Sequence, residues 1–292
     1  MKTNALPLCG LARRAAFAVV LLACCWGNAM AQHVSHVVIV MEENHGYSQV
    51  IGSSAMPYLN SLASKYGLAT NYYSDAHPSL PNYFMLTVGN KIASNDSYTG
   101  TITGNNIVRQ LLLAGKTWKV YAEELPYAGY TGGDHLNYVK HHNPFAYITD
   151  VVNSSVEKLN IVPFTQFHTD LASNALPNYS FVVPDILDDA HSASLAQADA
   201  WLKTNIGPLL SNSEFRSSGV LIVVFDEALD SDTRHGGGHV AMVVAGPNAV
   251  PGGRYAGLAQ HESLLKLTCA LLGLSNCPGK AASATAITGL TK

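Results

Sequence analysis

The sequence predicts an α/β fold in which helices cover both faces of a largely parallel central sheet. Segments with the composition of strands alternate along the chain with segments that have helical spacing, and this alternation is typical of parallel sheets. The strand segments are continuous apolar runs, as expected for strands that are buried on both faces. The 292 residues are enough for one large domain with a substantial core.

Five segments have the length and composition of buried strands. They are 36–41 (HVVIVM), 119–124 (KVYAEE), 179–185 (YSFVVPD), 220–227 (VLIVVFDE) and 240–247 (VAMVVAGP). Helices are predicted at 56–66 and 106–114, which each end at a glycine, and at 191–210 and 262–272. Ser154 and Glu157 have the spacing of a capping box. Residues 125–150 are rich in Gly, Tyr and His, which favours an ordered functional loop.

The first residues have the pattern of a secretory signal. Lys2, Arg13 and Arg14 precede an apolar segment, and Ala29-Met30-Ala31 has the small-residue spacing of a cleavage site. We therefore expect a signal peptide over 1–31, a single domain over 32–292 and a secreted or periplasmic protein. Lipoprotein cleavage near 21–24 (LLAC) is an alternative. No later apolar stretch is long enough to cross a bilayer, so no transmembrane segment is expected.

Charge and cysteine content narrow the possible partners. The chain has 17 Lys and Arg against 20 Asp and Glu, and the leader contains basic residues but no acidic ones, which argues against a nucleic-acid surface. A phosphorylated substrate remains compatible, because a bound cation can reverse the local field. Cys269 and Cys277 follow the leader, and in an exported chain they favour one disulfide, with two buried thiols as the alternative.

Polar residues follow three of the predicted strands. Glu42-Glu43-Asn44 ends the first, Asp226-Glu227 ends the fourth, and Asp185, Asp188, Asp189 and His191 follow the third. Sites in open α/β sheets form outside the carboxyl ends of the strands, so these side chains are expected on one rim. Carboxylate and amide oxygens suit a divalent cation. The alternative for each acidic pair is a solvated turn.

Ser79 lies in the segment HPSLPNY, directly before a helix-like apolar run. Pro81 is suited to the first turn of a helix, which places Ser79 at or near the N-cap. A serine in that place can simply cap the helix. It can also lie at a phosphate site, because helix N-termini bind anions, and beside a cation its hydroxyl could attack phosphorus.

The chain resembles the phosphoesterase family that contains acid phosphatases and bacterial phospholipases C, within the alkaline phosphatase-like superfamily. The matching segments are VVIVMEENHGYSQV, MPYLNSLASKYGLATNYYSDAHPSLPNY, KHHNPFAY, VPDILDDAHS, LIVVFDEA and GGGHVAMVVAGPNAVPG. They occur in the family's order over nearly all of 32–292. The resemblance implies an alkaline phosphatase-like fold.

The resemblance also implies roles for individual residues. Glu43, Asn44, Ser79, Asp226 and Glu227 would bind a divalent cation, and Ser79 would also be the nucleophile. His142 and His191 would bind the phosphoryl oxygens or protonate the leaving group. Further candidates for the site are His239, His141, which competes with His142 for the same role, and His77, for which a local hydrogen bond in a turn is an equal alternative.

These expectations define a metal-dependent phosphomonoesterase that forms a phosphoserine intermediate and acts on a small phosphorylated substrate. The segment ENHGYSQV differs from the longer motif of the phospholipase C members, which favours the phosphatase branch. A phospholipase C-type phosphodiesterase is the first alternative. A non-catalytic exported protein that binds metal or phosphate is the second.

Overall fold

An eight-stranded sheet forms the centre of the protein. The computed structural model describes residues 1–3 and 34–292, so the expected signal peptide and its cleavage site lie outside the described residues except for the first three positions. The strands are β1 (His36–Glu42), β2 (Gly67–Ala69), β3 (Trp118–Ala122), β4 (Ile161–Pro163), β5 (Tyr179–Val183), β6 (Gly219–Phe225), β7 (Met242–Ala245) and β8 (Arg254–Tyr255).

The sheet is largely parallel, as predicted. Its order is β4-β3-β5-β1-β6-β7-β2-β8, and β7 runs antiparallel to both of its neighbours, β6 and β2. Every residue of β1, β5 and β6 is buried, which explains their continuous apolar sequences. The five predicted strands are all present. The strands that were not predicted, β2, β4 and β8, have two or three residues, too few to give an apolar run.

Helices connect the strands. They are α1 (Tyr47–Val50), α2 (Pro57–Lys65), α3 (Ser79–Val88), α4 (Ile107–Leu113), α5 (Thr149–Val152), α6 (Thr165–Ala172), α7 (Leu195–Trp201), α8 (Phe215–Ser218) and α9 (His261–Leu272). Tighter 3₁₀ turns occur at Lys140–His142, Pro144–Tyr147, Glu157–Asn160, Gly207–Ser211, Arg234–Gly236 and Gly279–Ala282, and one wider π turn at Leu202–Ile206.

The helices lie on both faces of the sheet. Connections between parallel strands are right-handed, so connections that run towards opposite edges lie on opposite faces. The connection from β1 to β2 runs towards one edge through α2, and the connection from β2 to β3 returns through α3 and α4. Contacts agree with this arrangement, because α2 packs against α7 whereas α3 packs against α9. The predicted two-sided cover is confirmed.

The prediction of one helix over 191–210 is wrong. The α-helix begins only at Leu195, after Ser194, whose side chain accepts a hydrogen bond from the Gln197 amide. It ends at Trp201, and wider and tighter turns follow as far as Ser211. Pro208 has no N–H group to continue an α-helical ladder, which is consistent with the change of turn geometry before it.

The capping box predicted for Ser154 and Glu157 forms only in part. The Glu157 amide donates to Ser154 Oγ over 3.0 Å. The Glu157 carboxylate instead accepts a bond from Trp118 Nε1 over 2.9 Å, so it does not return to the serine backbone. A short 3₁₀ turn follows in place of a helix.

The segment 125–150 is ordered by its aromatic residues. Tyr138, Phe145 and Tyr147 are all buried, and the Ile102 amide donates to the Tyr147 carbonyl over 2.7 Å. The segment contains the turn that carries His142. The aromatic residues of this segment therefore serve its packing, and the segment also carries His142 towards the rim of the sheet.

Three further features bear on the predicted organisation. Cys269 and Cys277 form the predicted disulfide, which joins the end of α9 to the tail. The described residues 34–292 form one compact unit. Among the helices of the described residues, none has the length and apolar character needed to span a membrane.

Asp199 links two helices that are far apart in sequence. Its two carboxylate oxygens accept bonds from the amides of Tyr58 and Leu59 in the first turn of α2, each over 2.8 Å. Asp199→Ala should lower the free energy of unfolding by about 2 kcal/mol, because it leaves both amides without a partner. Urea denaturation measures this loss. Asp230→Ala, a change at a fully exposed carboxylate, is the control, and equal stability of the two variants would contradict the prediction.

Asp75 lies in the loop between β2 and α3, and its side chain contacts the start of α9. Its carboxylate accepts a bond from the His261 amide over 3.2 Å. Burial, and then the neighbouring Glu262, raise the pKa of Asp75 to about 8. The folded protein therefore keeps a proton that the unfolded chain releases near pH 4, and stability falls as the pH rises between these values.

Asp75→Asn should flatten this dependence. We expect the wild-type free energy of unfolding to fall between pH 4 and pH 8 more steeply than that of the variant, by on the order of 3 kcal/mol. The asparagine can still accept the His261 bond, and the loss of the longer bond from Gln260 Nε2 lowers stability equally at all pH values, so the difference in slope reports the titration. Parallel urea titrations at several pH values measure the difference, and the same slope in both proteins would rule out a titrating Asp75.

Candidate active site

The pairing of β1 with β6 brings the first two acidic groups together. The register places Glu42 opposite Phe225, so Glu43 and Asp226, the residues that follow, lie side by side at the carboxyl edge of the sheet. The Asn44 amide donates to Asp226 Oδ1 over 3.1 Å. Asn44 has a φ of 57°, a left-handed conformation that asparagine tolerates better than most residues.

Ser79 is the first residue of α3 and not its cap. It follows Pro78, whose peptide bond with His77 is cis. The side chain is 3% exposed, and its Oγ lies 3.1 Å from Glu43 Oε2 and 3.3 Å from Glu227 Oε1. The serine hydroxyl therefore faces the acidic cluster and does not satisfy the backbone of its own helix.

Asn82 shapes the chain that leads to Ser79. It is fully buried, and its Oδ1 accepts bonds from the amides of Asp75 and Ala76 over 3.1 and 3.0 Å. Its amide nitrogen donates to the Ala76 carbonyl over 2.9 Å. The asparagine of HPSLPNY thus ties the loop before the serine to the helix after it.

Asp96 occupies part of the N-terminus of α3. Its Oδ1 accepts a bond from the Leu80 amide over 2.9 Å, and Pro81 has no N–H group. Among the first three residues of the helix, only the Ser79 amide remains for an incoming anion. The contribution of this helix end to anion binding is therefore smaller than the sequence suggested.

Three buried carboxylates surround the serine hydroxyl, and their charges are unfavourable together. Burial, followed by Asp226 and Asp189, raises the pKa of Glu43 well above its ordinary value. Burial raises the pKa of Asp226 to about 6. Burial and then Asp226 raise the pKa of Glu227 to about 9. Such a group of acids is stable in its ionised form only with positive charge nearby.

The donor set fits a divalent cation. Asp226 Oδ2 is buried and has no hydrogen-bond partner in the described residues, so it can serve as a ligand without losing another bond. The Ser79 hydroxyl and the carboxylates of Glu43 and Glu227 add further oxygen atoms that lie close to one another, and Asn44 lines the same pocket. Hard cations prefer oxygen ligands of this kind.

His142 lies behind the serine, between two carboxylates. It is 1% exposed, with Nε2 3.4 Å from Glu43 Oε1 and Nδ1 3.3 Å from Asp189 Oδ2. Tyr83 stacks on its ring and donates from its hydroxyl to Glu43 Oε1. Burial lowers the pKa of His142. The geometry places this ring against Glu43 and not in the open pocket.

His191 lies at the pocket itself. The pocket has a volume of about 340 Å³, and its lining comprises Asn44, Pro78, Ser79, Asp96, His191, Glu227, Ala228, Leu229 and Asp230. The Nδ1 of His191 lies 2.9 Å from Ser192 Oγ. His141 is half-buried, and burial followed by His142 lowers its pKa to about 4.

The two remaining candidate histidines occupy different places. His77 Nδ1 lies 2.6 Å from Glu227 Oε2, and its Nε2 lies 3.0 Å from the Asp232 carbonyl, so the ring contacts the acidic cluster directly. His239 stacks between Tyr47 and Tyr73, with ring centroids 4.3 and 4.8 Å away. Its Nε2 lies 3.1 Å from the Thr70 carbonyl, so its ring packs beside the site rather than in the pocket lining.

The sequence assigned no role to Tyr83 or Asp96, placed Asp189 only among the polar residues expected on the rim, and indicated a structural role for His261. Tyr83 follows Ser79 by four positions, a helical spacing that could have revealed it. His261 Nε2 lies 2.6 Å from the Asp226 carbonyl. Asp96 and His261 reach the site through long-range contacts, and no local pattern marks them.

Comparison with known proteins shows which family profile and which proteins this sequence is similar to. The profile of the phosphoesterase family matches residues 53–268. A phosphatidylinositol-3-phosphatase of Mycobacterium tuberculosis is 32% identical over 88% of this chain and 82% of its own length. A probable acid phosphatase of Kluyveromyces lactis is 33% identical over 65% of this chain, and an acid phosphatase of Aspergillus fumigatus is 33% identical over 63%. The chain matches 46% and 43% of the lengths of these two fungal relatives.

Solved structures share the fold at low sequence identity. A member of the alkaline phosphatase superfamily from Vibrio parahaemolyticus has a TM-score of 0.59 and 13% identity, over 82% of this chain and 67% of its own. A sulfatase from Pseudoalteromonas has a TM-score of 0.56 and 11% identity, over 89% and 73%. The predicted alkaline phosphatase-like fold is confirmed.

Proposed function

The chain belongs to the phosphoesterase family, and on that premise we propose that it hydrolyses phosphate monoesters through a phosphoserine on Ser79. The observation that carries this proposal is the position of the serine hydroxyl. It lies at the wall of a pocket of about 340 Å³, within hydrogen-bond distance of two buried carboxylates. A nucleophile beside groups that can accept its proton is the arrangement that covalent catalysis requires.

Glu43, Asn44, Ser79, Asp226 and Glu227 would hold a divalent cation. When bound, the cation would supply positive charge that favours the ionised serine and the charged phosphoryl oxygens. Two observations support this assignment: Asp226 Oδ2 is buried without a hydrogen-bond partner in the part of the chain that the structure describes, and the pKa values of Glu43 and Glu227 are raised.

We assign the nucleophilic attack and the two proton transfers to side chains at the pocket. Ser79 Oγ attacks phosphorus and gives its proton to Glu43 or Glu227, with which it is hydrogen-bonded. The bond between phosphorus and the ester oxygen breaks as the serine–phosphorus bond forms, and His191, which lines the pocket, gives a proton to the departing alcohol. Water then hydrolyses the phosphoserine and releases phosphate.

His142 has a different place in this scheme from the one that the resemblance implies. Its ring is 1% exposed and lies between Glu43 and Asp189. We assign it to the orientation of Glu43, and His191 to proton transfer. His141 is a second candidate for contact with the phosphoryl group. Both ring nitrogens of His77 contact other groups, Glu227 and the Asp232 carbonyl, so we assign His77 to the support of Glu227.

The substrate is expected to be a small phosphorylated molecule, and the protein is expected to be exported. The name of the mycobacterial relative adds a phosphoinositide monoester as a specific candidate. The basic, apolar and Ala-Met-Ala segments of the leader support export.

The test compares phosphate monoesters and diesters with one purified protein. The protein is stripped of metal, refilled with single divalent cations, and assayed with p-nitrophenyl phosphate, its bis-ester and phosphatidylinositol 3-phosphate over acidic and alkaline pH. Cation-restored cleavage of the monoesters supports the proposal. Preference for the bis-ester supports a phospholipase C-type diesterase, and cation binding without any cleavage supports a non-catalytic binding protein.

A further inference from the structure

Asp189 contacts three separate parts of the site but is neither a proposed ligand nor part of the pocket lining. It is 1% exposed. Its carbonyl accepts a bond from the Glu43 amide over 2.8 Å, and its Oδ1 accepts one from the His191 amide over 2.8 Å. Its Oδ2 lies 3.3 Å from His142 Nδ1. Asp189 therefore contacts the backbone of Glu43, which is a proposed ligand, and the backbone of His191, which is the proposed acid. It also contacts the ring of His142.

The bond from the His191 amide to Asp189 Oδ1 fixes the turn that carries His191. Ala190 has a φ of 75°, a left-handed conformation that costs an alanine about 1 kcal/mol. The bond from the His191 amide to Asp189 Oδ1 spans this residue. The carboxylate thus helps to hold a turn that alanine does not prefer, and the turn places His191 at the pocket.

The contact between Asp189 Oδ2 and His142 Nδ1 fixes the orientation of the His142 ring. The two nitrogens lie on opposite edges of the imidazole, and each faces a different carboxylate, Asp189 on one side and Glu43 on the other. The stacked Tyr83 restricts the ring from a third direction. Removing Asp189 would free one edge of the ring, and the ring would then be free to rotate away from Glu43.

Glu43, His142 and Asp189 each offer a ligand atom, and these atoms all lie within 4.8 Å of one another, a spacing that a shared cation would also need. The orientation of the ring argues against this use. The observed ring directs one nitrogen to each carboxylate, at 3.4 Å from Glu43 and 3.3 Å from Asp189, although neither contact has hydrogen-bond geometry. A cation on one ring nitrogen would displace the contact of that nitrogen with its carboxylate. Metal-site groups are commonly oriented by outer partners of this kind.

We propose that Asp189 is a positioning residue that fixes the His142 ring and the His191 turn in their positions relative to Glu43. It acts through these groups and does not touch the substrate. The proposal rests on the proposed function for its kinetic consequences, but its structural consequences are independent of turnover.

The test uses Asp189→Ala, with Asp188→Ala as the matched control. Asp188 is the preceding residue, and its carboxylate accepts a bond from Gln197 on the outside of the loop. For monoester hydrolysis we expect Asp189→Ala to lower kcat by about 10- to 100-fold with KM nearly unchanged. We also expect it to weaken binding of Mn²⁺ alone by about 10-fold. Thermal melts establish the folded fraction, and Asp189→Asn replaces the alanine variant if the latter does not fold.

A third readout requires neither turnover nor metal. The imidazole signals of His142 and His191 in ¹H–¹⁵N spectra should shift in Asp189→Ala and stay in place in Asp188→Ala. Unchanged imidazole signals would overturn the proposal even if the wild-type protein hydrolyses no phosphoester. A wild type without activity, together with shifted signals, would overturn the proposed function and retain the positioning role. Shifted signals with unchanged kcat and Mn²⁺ affinity would confine Asp189 to a structural role and would also overturn the proposal.

Discussion

Ser79→Ala should lower kcat for monoester hydrolysis by at least about 10³-fold, the loss that follows when a catalytic nucleophile is removed. The hydroxyl is the atom that approaches both Glu43 and Glu227, and an alanine methyl group can neither attack phosphorus nor carry a phosphoryl group. Steady-state kinetics with p-nitrophenyl phosphate measures the loss. Incubation with a ³²P-labelled monoester followed by acid quenching should label the wild type and leave the variant unlabelled.

The fold should survive this change. The hydroxyl does not cap α3, and the adjacent backbone is held by Asn82 and Asp96. Ser61→Ala is the control, because Ser61 lies on α2 and its hydroxyl donates to the Tyr58 carbonyl of its own helix, with no other side-chain bond among residues 34–292. A folded Ser79→Ala protein with kcat within tenfold of the wild type would exclude Ser79 as the nucleophile.

Removal of divalent cations should abolish activity and lower the melting temperature. Glu43, Asp226 and Glu227 are buried together, so without a cation their negative charges repel one another and lack solvation. A cation that binds only the folded state at 100 times its Kd stabilises that state by about 2.7 kcal/mol. Chelation followed by titration with single cations, read by activity and by thermal melts, measures both effects.

Asp226→Asn separates the charge of the cluster from its shape. The asparagine can still accept the bond from the Asn44 amide, but it removes one buried negative charge. The metal-free variant should therefore melt at a higher temperature than the metal-free wild type at pH 8, above the pKa of about 6 for Asp226. Added cation should stabilise the variant much less.

Asp230→Asn is the matched control for this experiment. Asp230 lines the same pocket, but its side chain is 97% exposed. Its variant should keep the full cation-induced shift in melting temperature. An equal shift in Asp226→Asn would show that Asp226 is not a ligand.

The sequence alone predicted the central layer of the fold because strands buried on both faces must be apolar throughout. The segments at 36–41 and 220–227 became β1 and β6, and their parallel register joined Glu43 to Asp226. Helix ends followed local rules where a glycine closed the helix, as at Gly273 after α9. The same local rules failed over 191–210, where turns of three different widths share one apolar face.

Only the tertiary structure decided what each polar side chain contacts. The sequence left Ser79 as either a helix cap or a nucleophile, and the choice depends on Glu43 and Glu227, which lie 36 and 148 positions away. It grouped His142 with His191, but the fold buries the first between carboxylates and places the second at the pocket. Apolar periodicity is a local property that a sequence displays directly. Hydrogen bonds between distant loops depend on how the sheet edge is assembled, and no local pattern encodes them.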